Sequence, residues 1–431
     1  MELGGRARAL LVALIAVIGL SAPPQVYAHG EQNQEPFLRM RTLQWYDVTW
    51  TKEDGTPADE IGVNDRVIVE GKFRAIEDWP ANVPELDMAF LSTAGPSSVF
   101  VKIESYIDDV PMIQSTQLEF KREYRFKLIM AGRIPGNYHL HPTVMVQGGG
   151  PIIGPGKWVN ITGSAADFKL PATTLSGEEI PNLETWGVST VVTWHLLWIA
   201  IAAFWLLWWL RRPLLMPRFI ANKKGGNEDI LITPLDQKVA FGMLVGTIVI
   251  VVAGNQWANS KYPRTTPLQG AVMRLPNKAP VEELVSAIVR EADYDVPGRT
   301  MRFNVELTNN AERPVQVGEF STASIRFLDA DIEAASSGIH ASFPDELINY
   351  GLTISDNSPL MPGETRTVSV KASDAAWETE RLADLVKDPV NRFAGLLMFY
   401  DDGGERHITE INGAVVPVFV LDSAERVATA D

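Results

Sequence analysis

The chain has 431 residues, 46% hydrophobic and 21% charged; this excludes wholesale disorder and, at ordinary domain sizes, suggests two or three domains. Its 38 Lys+Arg against 53 Asp+Glu leave a net charge of −15, the wrong sign for a nucleic-acid partner. Cysteine is absent, which excludes disulfides, Cys-ligated zinc, iron–sulfur clusters, thiol nucleophiles and thiolate-bound copper, and with only six histidines any cluster of them is informative.

In chain order, residues 1–28 read as a secretory signal peptide. Arg6 and Arg8 precede an apolar run from Ala9 to Leu20, and Val26-Tyr27-Ala28 gives a cleavage site. Cleavage there makes His29 the first residue of the mature chain. Residues 29–185 follow as a β-rich domain, because Asp65–Arg74, Val99–Ile103 and Glu123–Met130 alternate apolar with polar residues. Gly148 to Lys157 is glycine-rich, but Trp158 stands where a phosphate-binding loop needs Ser or Thr, so it reads as a structured loop.

Residues 186–258 read as a membrane hairpin. Trp186–Leu210 and Val239–Ala258 carry no charge and would make helices about 37 and 30 Å long, enough to cross a bilayer. The loop 211–238 between them holds Arg211, Arg212, Arg218, Lys223, Lys224 and Lys238, which places it on the cytoplasmic side and both flanking regions outside. His195 lies inside the first span near its outer end, where a hydrogen-bonded structural role is expected. Residues 259–431 form a second β-rich domain, with strands expected over Met301–Thr308, Ser324–Leu328 and Thr365–Ala372. A helix capped by Ser373 or Asp374, with Ala376, Leu382 and Leu385 inward, is also expected there. The fold class is therefore mainly β, with two sandwiches joined by a two-helix membrane hairpin.

The chemistry points to three histidines. Pro135-Gly136 makes a turn and Asn137-Tyr138-His139-Leu140-His141 continues as a strand, so His139 and His141 share one face, about 7 Å apart at Cα. His29 would add an imidazole and a free α-amine at the mature terminus. Four nitrogens and no sulfur favour Cu(II). A bare His-x-His is often two exposed polar residues; the histidine at the cleavage site strengthens the metal reading. Glu31, Glu35 and Asp47 are candidate supporting carboxylates. His340 and His407 are isolated and read as structural.

The segments Ala28-His-Gly-Glu, Phe37 to Asp47, and Gly148-Gly-Gly-Pro-Ile-Ile-Gly-Pro-Gly-Lys-Trp resemble the B subunit of the copper membrane monooxygenases, the particulate methane and ammonia enzymes. The resemblance continues through Asn259-Ser-Lys-Tyr-Pro, Pro267-Leu-Gln, Val296-Pro-Gly-Arg, Gly318-Glu-Phe, Arg326-Phe-Leu-Asp and Arg392 to Leu397. It implies two cupredoxin-like domains outside the cytoplasm and copper held by His29, His139 and His141. It also implies assembly with membrane subunits A and C as a trimer of three-subunit protomers, in a bacterial inner or intracytoplasmic membrane. Some methane-oxidising members carry a further copper-site histidine where this chain has Gln44, so no second site is expected.

The resemblance implies hydroxylation of a small substrate with O2, but leaves open whether copper here oxidises, relays electrons or is structural. It leaves methane, ammonia and short hydrocarbons open as substrates: Gln34 to Thr42 leans to the ammonia branch, and Val146 to Ile153 to the methane branch. The alternative is a membrane-anchored copper-delivery or scaffold protein with no catalysis of its own.

Overall fold

A computed structural model describes residues 34–419 apart from 97, 175–176, 211–214, 226–231, 262–271 and 389. The signal peptide, Glu31 and His29 lie outside the described residues. The described chain divides into two compact units, one drawn from 1–168 and 271–431, the other from 169–270.

The first unit contains two β-sandwiches. The N-terminal one follows helix α1 (Pro36–Arg41) and comprises β1 (Leu43–Lys52), β2 (Glu60–Gly62), β3 (Arg66–Ala75), β4 (Ala89–Ala94), β5 (Phe100–Ile107), β6 (Val110–Pro111), β7 (Glu123–Gly132), β8 (Gly136–Val146), β9 (Gly150–Ile153) and β10 (Lys157–Thr162). One sheet runs β1-β3-β7-β5-β6; the other runs β2-β10-β8-β4, with β9 hairpinned onto β8. The alternation that predicts β3 and β7 is what buries Val67, Val69 and Phe73 against Phe126, Leu128 and Met130 between the sheets. Trp45 meets Phe126 edge to face at 5.0 Å in this core.

The C-terminal sandwich also has two five-stranded sheets. One is built around Val285–Asp295, Thr300–Asn309 and Thr365–Ser373, the other around Val315–Thr322, Ile325–Leu328, Arg392–Asp401 and Arg406–Ala414. The expected helix after Ser373 is instead two short pieces, Ala376–Thr379 and a 3-10 turn over Leu382–Lys387. Its inward residues Ala376, Leu382 and Leu385 are buried as expected. The break has a tertiary cause: Arg39 of α1 donates to the Glu380 carbonyl at 2.6 Å, an acceptor that a continuing helix would use, and Arg381 turns left-handed at φ 56°.

The buried residues of both sandwiches form one continuous cluster, and polar ties cross between them. A bulge after Tyr46 in β1 puts Asp47 at φ 54° and aims its carboxylate at the C-terminal sandwich, where Arg406 donates two hydrogen bonds at 2.7 and 2.5 Å. Burial alone would raise the Asp47 carboxyl; Arg406 and Lys72 more than offset it and hold it below the ordinary range. Ser342 receives the Trp50 backbone N–H at 2.8 Å, and its carbonyl accepts from Lys157 at 3.0 Å.

Glu410 sits in the same seam. Burial, with the nearby Glu283 and Glu77 carboxylates, pushes its carboxyl up to about 7, although the Glu77 N–H and Arg74 pull the other way. A folded pKa above the unfolded one means the native state binds this proton more tightly. The stability it contributes is full below the ordinary glutamate value and lost as pH climbs through about 7. Glu410→Gln should therefore be more stable than the parent at pH 8, by about 1–3 kcal/mol, and nearly equal at pH 4. Thermal unfolding of both proteins across that window checks it; parallel curves would refute the assignment.

Among its described residues the second unit contains a small hairpin, Ala172–Thr173 with Glu179–Ile180, and three helices: α2 (Val188–Leu210), α3 (Leu215–Gly225) and α4 (Pro234–Lys261). Thr233 and Asp236 exchange hydrogen bonds as a capping box that starts α4. Trp194 of α2 packs on Gly254 of α4, where a Cβ would lie 2.6 Å from its ring. Side chains such as Leu196, Leu207, Phe241 and Val249 are exposed all round both long helices, a surface suited to lipid rather than water.

Candidate metal centre

β8 carries the histidine pair. Because side chains alternate across a strand, Leu140 points into the core while His139 and His141 project together on the other face. Their ring centroids are 4.6 Å apart and nearly perpendicular, at 88°. Both are buried, with 9% and 1% exposure.

Three neighbours fix that geometry. His141 Nδ1 lies 3.0 Å from the Gly154 carbonyl; a carbonyl only accepts, so Nδ1 carries the proton and the lone pair lies on Nε2. Trp158 pairs opposite His139 across the β8–β10 ladder, its ring centroid 5.0 Å away and tilted by 34°, while its indole remains 39% exposed. Gly156 closes the floor: a Cβ there would sit 2.5 Å from His141 Nδ1 and 2.8 Å from His139 Cε1. The glycine-rich stretch thus divides its work. Gly148 and Gly150 adopt φ 80° and 86° in the β8–β9 turn, and Gly154-Pro155-Gly156 passes under the two imidazoles.

The other candidates lie elsewhere. Asp47 is engaged by Arg406 and Lys72, and Glu35 precedes α1, where its carbonyl accepts from Leu38 N–H at 3.0 Å. Gln44 is fully buried, its amide nitrogen donating to the Met40 carbonyl at 2.6 Å, which gives it a structural role at the end of α1. His195 Nδ1 bonds the Val191 carbonyl one turn back at 2.8 Å, and His340 Nδ1 meets Ser342 Oγ at 2.7 Å. Among the described residues no third His, Cys, Asp or Glu joins the pair. Sequence reading missed Gly154, Gly156 and Trp158 as parts of the site; a Gly-Pro-Gly immediately before a strand that pairs with the His-x-His strand is the signal that could have found them.

The pair nevertheless suits a metal. Two imidazoles converge, one ring is held in a defined tautomer by a backbone carbonyl, and the backbone beside them leaves room that any side chain would fill. The donors are nitrogen alone, as a copper(II) site prefers.

Residues 30–419 match the family model for the monooxygenase B-subunit protein. The chain is 44% identical over 415 residues to the "Particulate methane monooxygenase alpha subunit" of Methylococcus capsulatus (Bath), covering 95% of this chain and 97% of that protein. Among solved structures, the cupredoxin domain of amoB from Nitrosocaldus yellowstonii is 17% identical and covers 32% of this chain and 98% of its own, with a TM-score of 0.24.

Proposed function

The chain belongs to the monooxygenase B-subunit family, and on that premise we propose that it is the copper-holding, membrane-anchored subunit of a complex that hydroxylates a small substrate with O2. The observation that carries the copper assignment is the buried His139–His141 pair over Gly156. His29 completes the ligand set with its imidazole and its α-amine. Chain reach supports this. Gln34 Nε2 donates to the Pro151 carbonyl at 2.5 Å and its Oε1 accepts from the Ile153 N–H at 3.4 Å, and Ile153 pairs with Thr143, two residues along β8 from His141. The anchor is then about 10 Å from the pair, while five extended residues back to His29 span up to about 17 Å.

When bound, copper would supply one-electron redox chemistry. This chain's residues do the rest of the local work. Gly154 orients His141 and holds its proton on Nδ1, Trp158 covers one side of His139, and Gly156 keeps the floor clear. The two sandwiches, cupredoxin-like in this reading, stand outside the cytoplasm, and α2 and α4 anchor them in a bacterial inner or intracytoplasmic membrane. Subunits A and C complete the protomer, three of which make the assembly.

Copper EPR on the complex solubilised from native membranes tests the ligand set, with the mature N-terminus read by mass spectrometry on the same sample. The expected result is a type 2 Cu(II) signal with several nitrogen couplings and a chain that starts at His29. A chain that starts elsewhere, or a complex without copper on this subunit, would overturn it. One alanine added before His29 turns the amine into an amide and should weaken copper binding on the order of 10–100-fold, as measured by competition with a chelator. Unchanged affinity would remove the α-amine from the set.

A further inference from the structure

Helix α3 begins a few residues after α2 ends at Leu210, so its start is held close to the end of a membrane-spanning helix. Arg218 reinforces this: its side chain is buried, and its guanidinium lies 5.7 Å from the Trp209 ring of α2. Arg218 and the half-buried Asn222, one turn later, define the inward face. On the opposite face Met216, Phe219 and Ile220 stand 66%, 50% and 48% exposed. Their spacing of three and four makes them one stripe. In the last turn Lys223 continues that stripe and Lys224 flanks it, both exposed. From Arg211 to Gly225 the sequence holds five basic residues and no acidic one, in a chain whose net charge is −15.

We propose that α3 is an interfacial helix that docks on an anionic lipid surface. Met216, Phe219 and Ile220 enter the acyl boundary, and Lys223 and Lys224 reach the phosphates. The argument rests on the reading of α2 and α4 as membrane spans. An apolar stripe that ends in lysines is what a helix lying in the headgroup layer needs: the hydrocarbon stays out of water and the long ammonium side chains extend to the charged surface. Continuity with α2 supplies the proximity, and charge complementarity supplies the lipid preference.

The absence of cysteine makes single nitroxide labels unambiguous. The full-length chain would carry Met216→Cys, Phe219→Cys, Ile220→Cys, Ala221→Cys or, in the middle of α2, Ile199→Cys. It would be reconstituted in nanodiscs of phosphatidylcholine, alone or with one part in three phosphatidylglycerol. Collision with O2, which partitions into lipid, and with a water-soluble nickel chelate then reports the depth of each label. The expected pattern is high O2 and low nickel access at 216, 219 and 220, about 5–10 Å below the headgroups, with the reverse at 221. The contrast should strengthen in the anionic discs, and Lys223→Glu/Lys224→Glu should remove that gain. Nickel access at all four α3 labels with a lipid-buried Ile199 label would overturn the proposal and leave the spanning helices standing. Nickel access at Ile199 as well would overturn the spanning reading itself. Labels at 216, 219 and 220 closed to both reagents would mean that protein covers the stripe, which also overturns the proposal. Loss of the apolar contrast in neutral discs alone would reduce it to charge attraction and refute the acyl-boundary geometry.

Discussion

Gly156→Val should lower copper affinity by at least about 100-fold, close to the effect of His139→Ala or His141→Ala. The reason is steric. A Cβ at this position already falls 2.5 Å from His141 Nδ1 and 2.8 Å from His139 Cε1, and valine adds two methyl groups beyond it. The rings cannot yield cheaply. His141 is tied to the Gly154 carbonyl and almost fully buried, and His139 is flanked by Trp158. Rotating either ring away would break the convergence that suits the pair to a metal. Titration of the full-length protein against a competing chelator reads the loss, and circular dichroism shows whether the sandwich is intact. His340→Ala and His407→Ala serve as controls: both lie on the C-terminal sandwich, and both should bind copper as the parent does. If Gly156→Val folds and binds copper normally, the metal does not sit on this pair.

The contrast between these residues shows where sequence reading stops. His139 and His141 are legible because a strand's period of two is local: five consecutive residues place both imidazoles on one face. Gly156 is not legible in that way, because its contact with them depends on the register that sets Lys157 opposite Leu140 in the β8–β10 ladder. The long helices are legible from composition, which lipid exposure dictates residue by residue. The seam between the sandwiches is not. Asp47 and Arg406 meet across most of the chain, and although the bulge at Asp47 shows in β1 as a switch from odd core positions (Leu43, Trp45) to even ones (Val48, Trp50), nothing local names Arg406 as its partner. The helix expected after Ser373 fails for the same reason. Its local pattern is sound, but Arg39, far away in sequence, takes the Glu380 carbonyl that the next turn would have used.

Arg326→Met should be the most destabilising single change on the C-terminal sandwich side of that seam, costing about 3–5 kcal/mol. Arg326, opposite Ser321, and Glu319, opposite Leu328, are diagonal neighbours within the hairpin Val315–Thr322 and Ile325–Leu328, joined by two hydrogen bonds of 2.8 and 2.6 Å. Glu319 is completely buried, and the Arg326 guanidinium also lies 5.4 Å from the Phe343 ring. Methionine fills much of the same volume, so packing loss is small; what remains is a buried carboxylate whose cation has gone. The double variant Glu319→Leu/Arg326→Met removes both charges and should regain most of the stability, because an apolar pair of similar volume carries no desolvation penalty. Thermal unfolding of the full-length chain, the single variants Arg326→Met and Glu319→Leu and the double variant gives the coupling directly. Additive losses would mean that the pair is not a unit. The expected non-additivity would show that the two charges act as a unit; Arg326 also helps hold the Asp47 carboxyl low. A hairpin loosened at Arg326 should therefore also weaken the Asp47–Arg406 clasp between the two sandwiches.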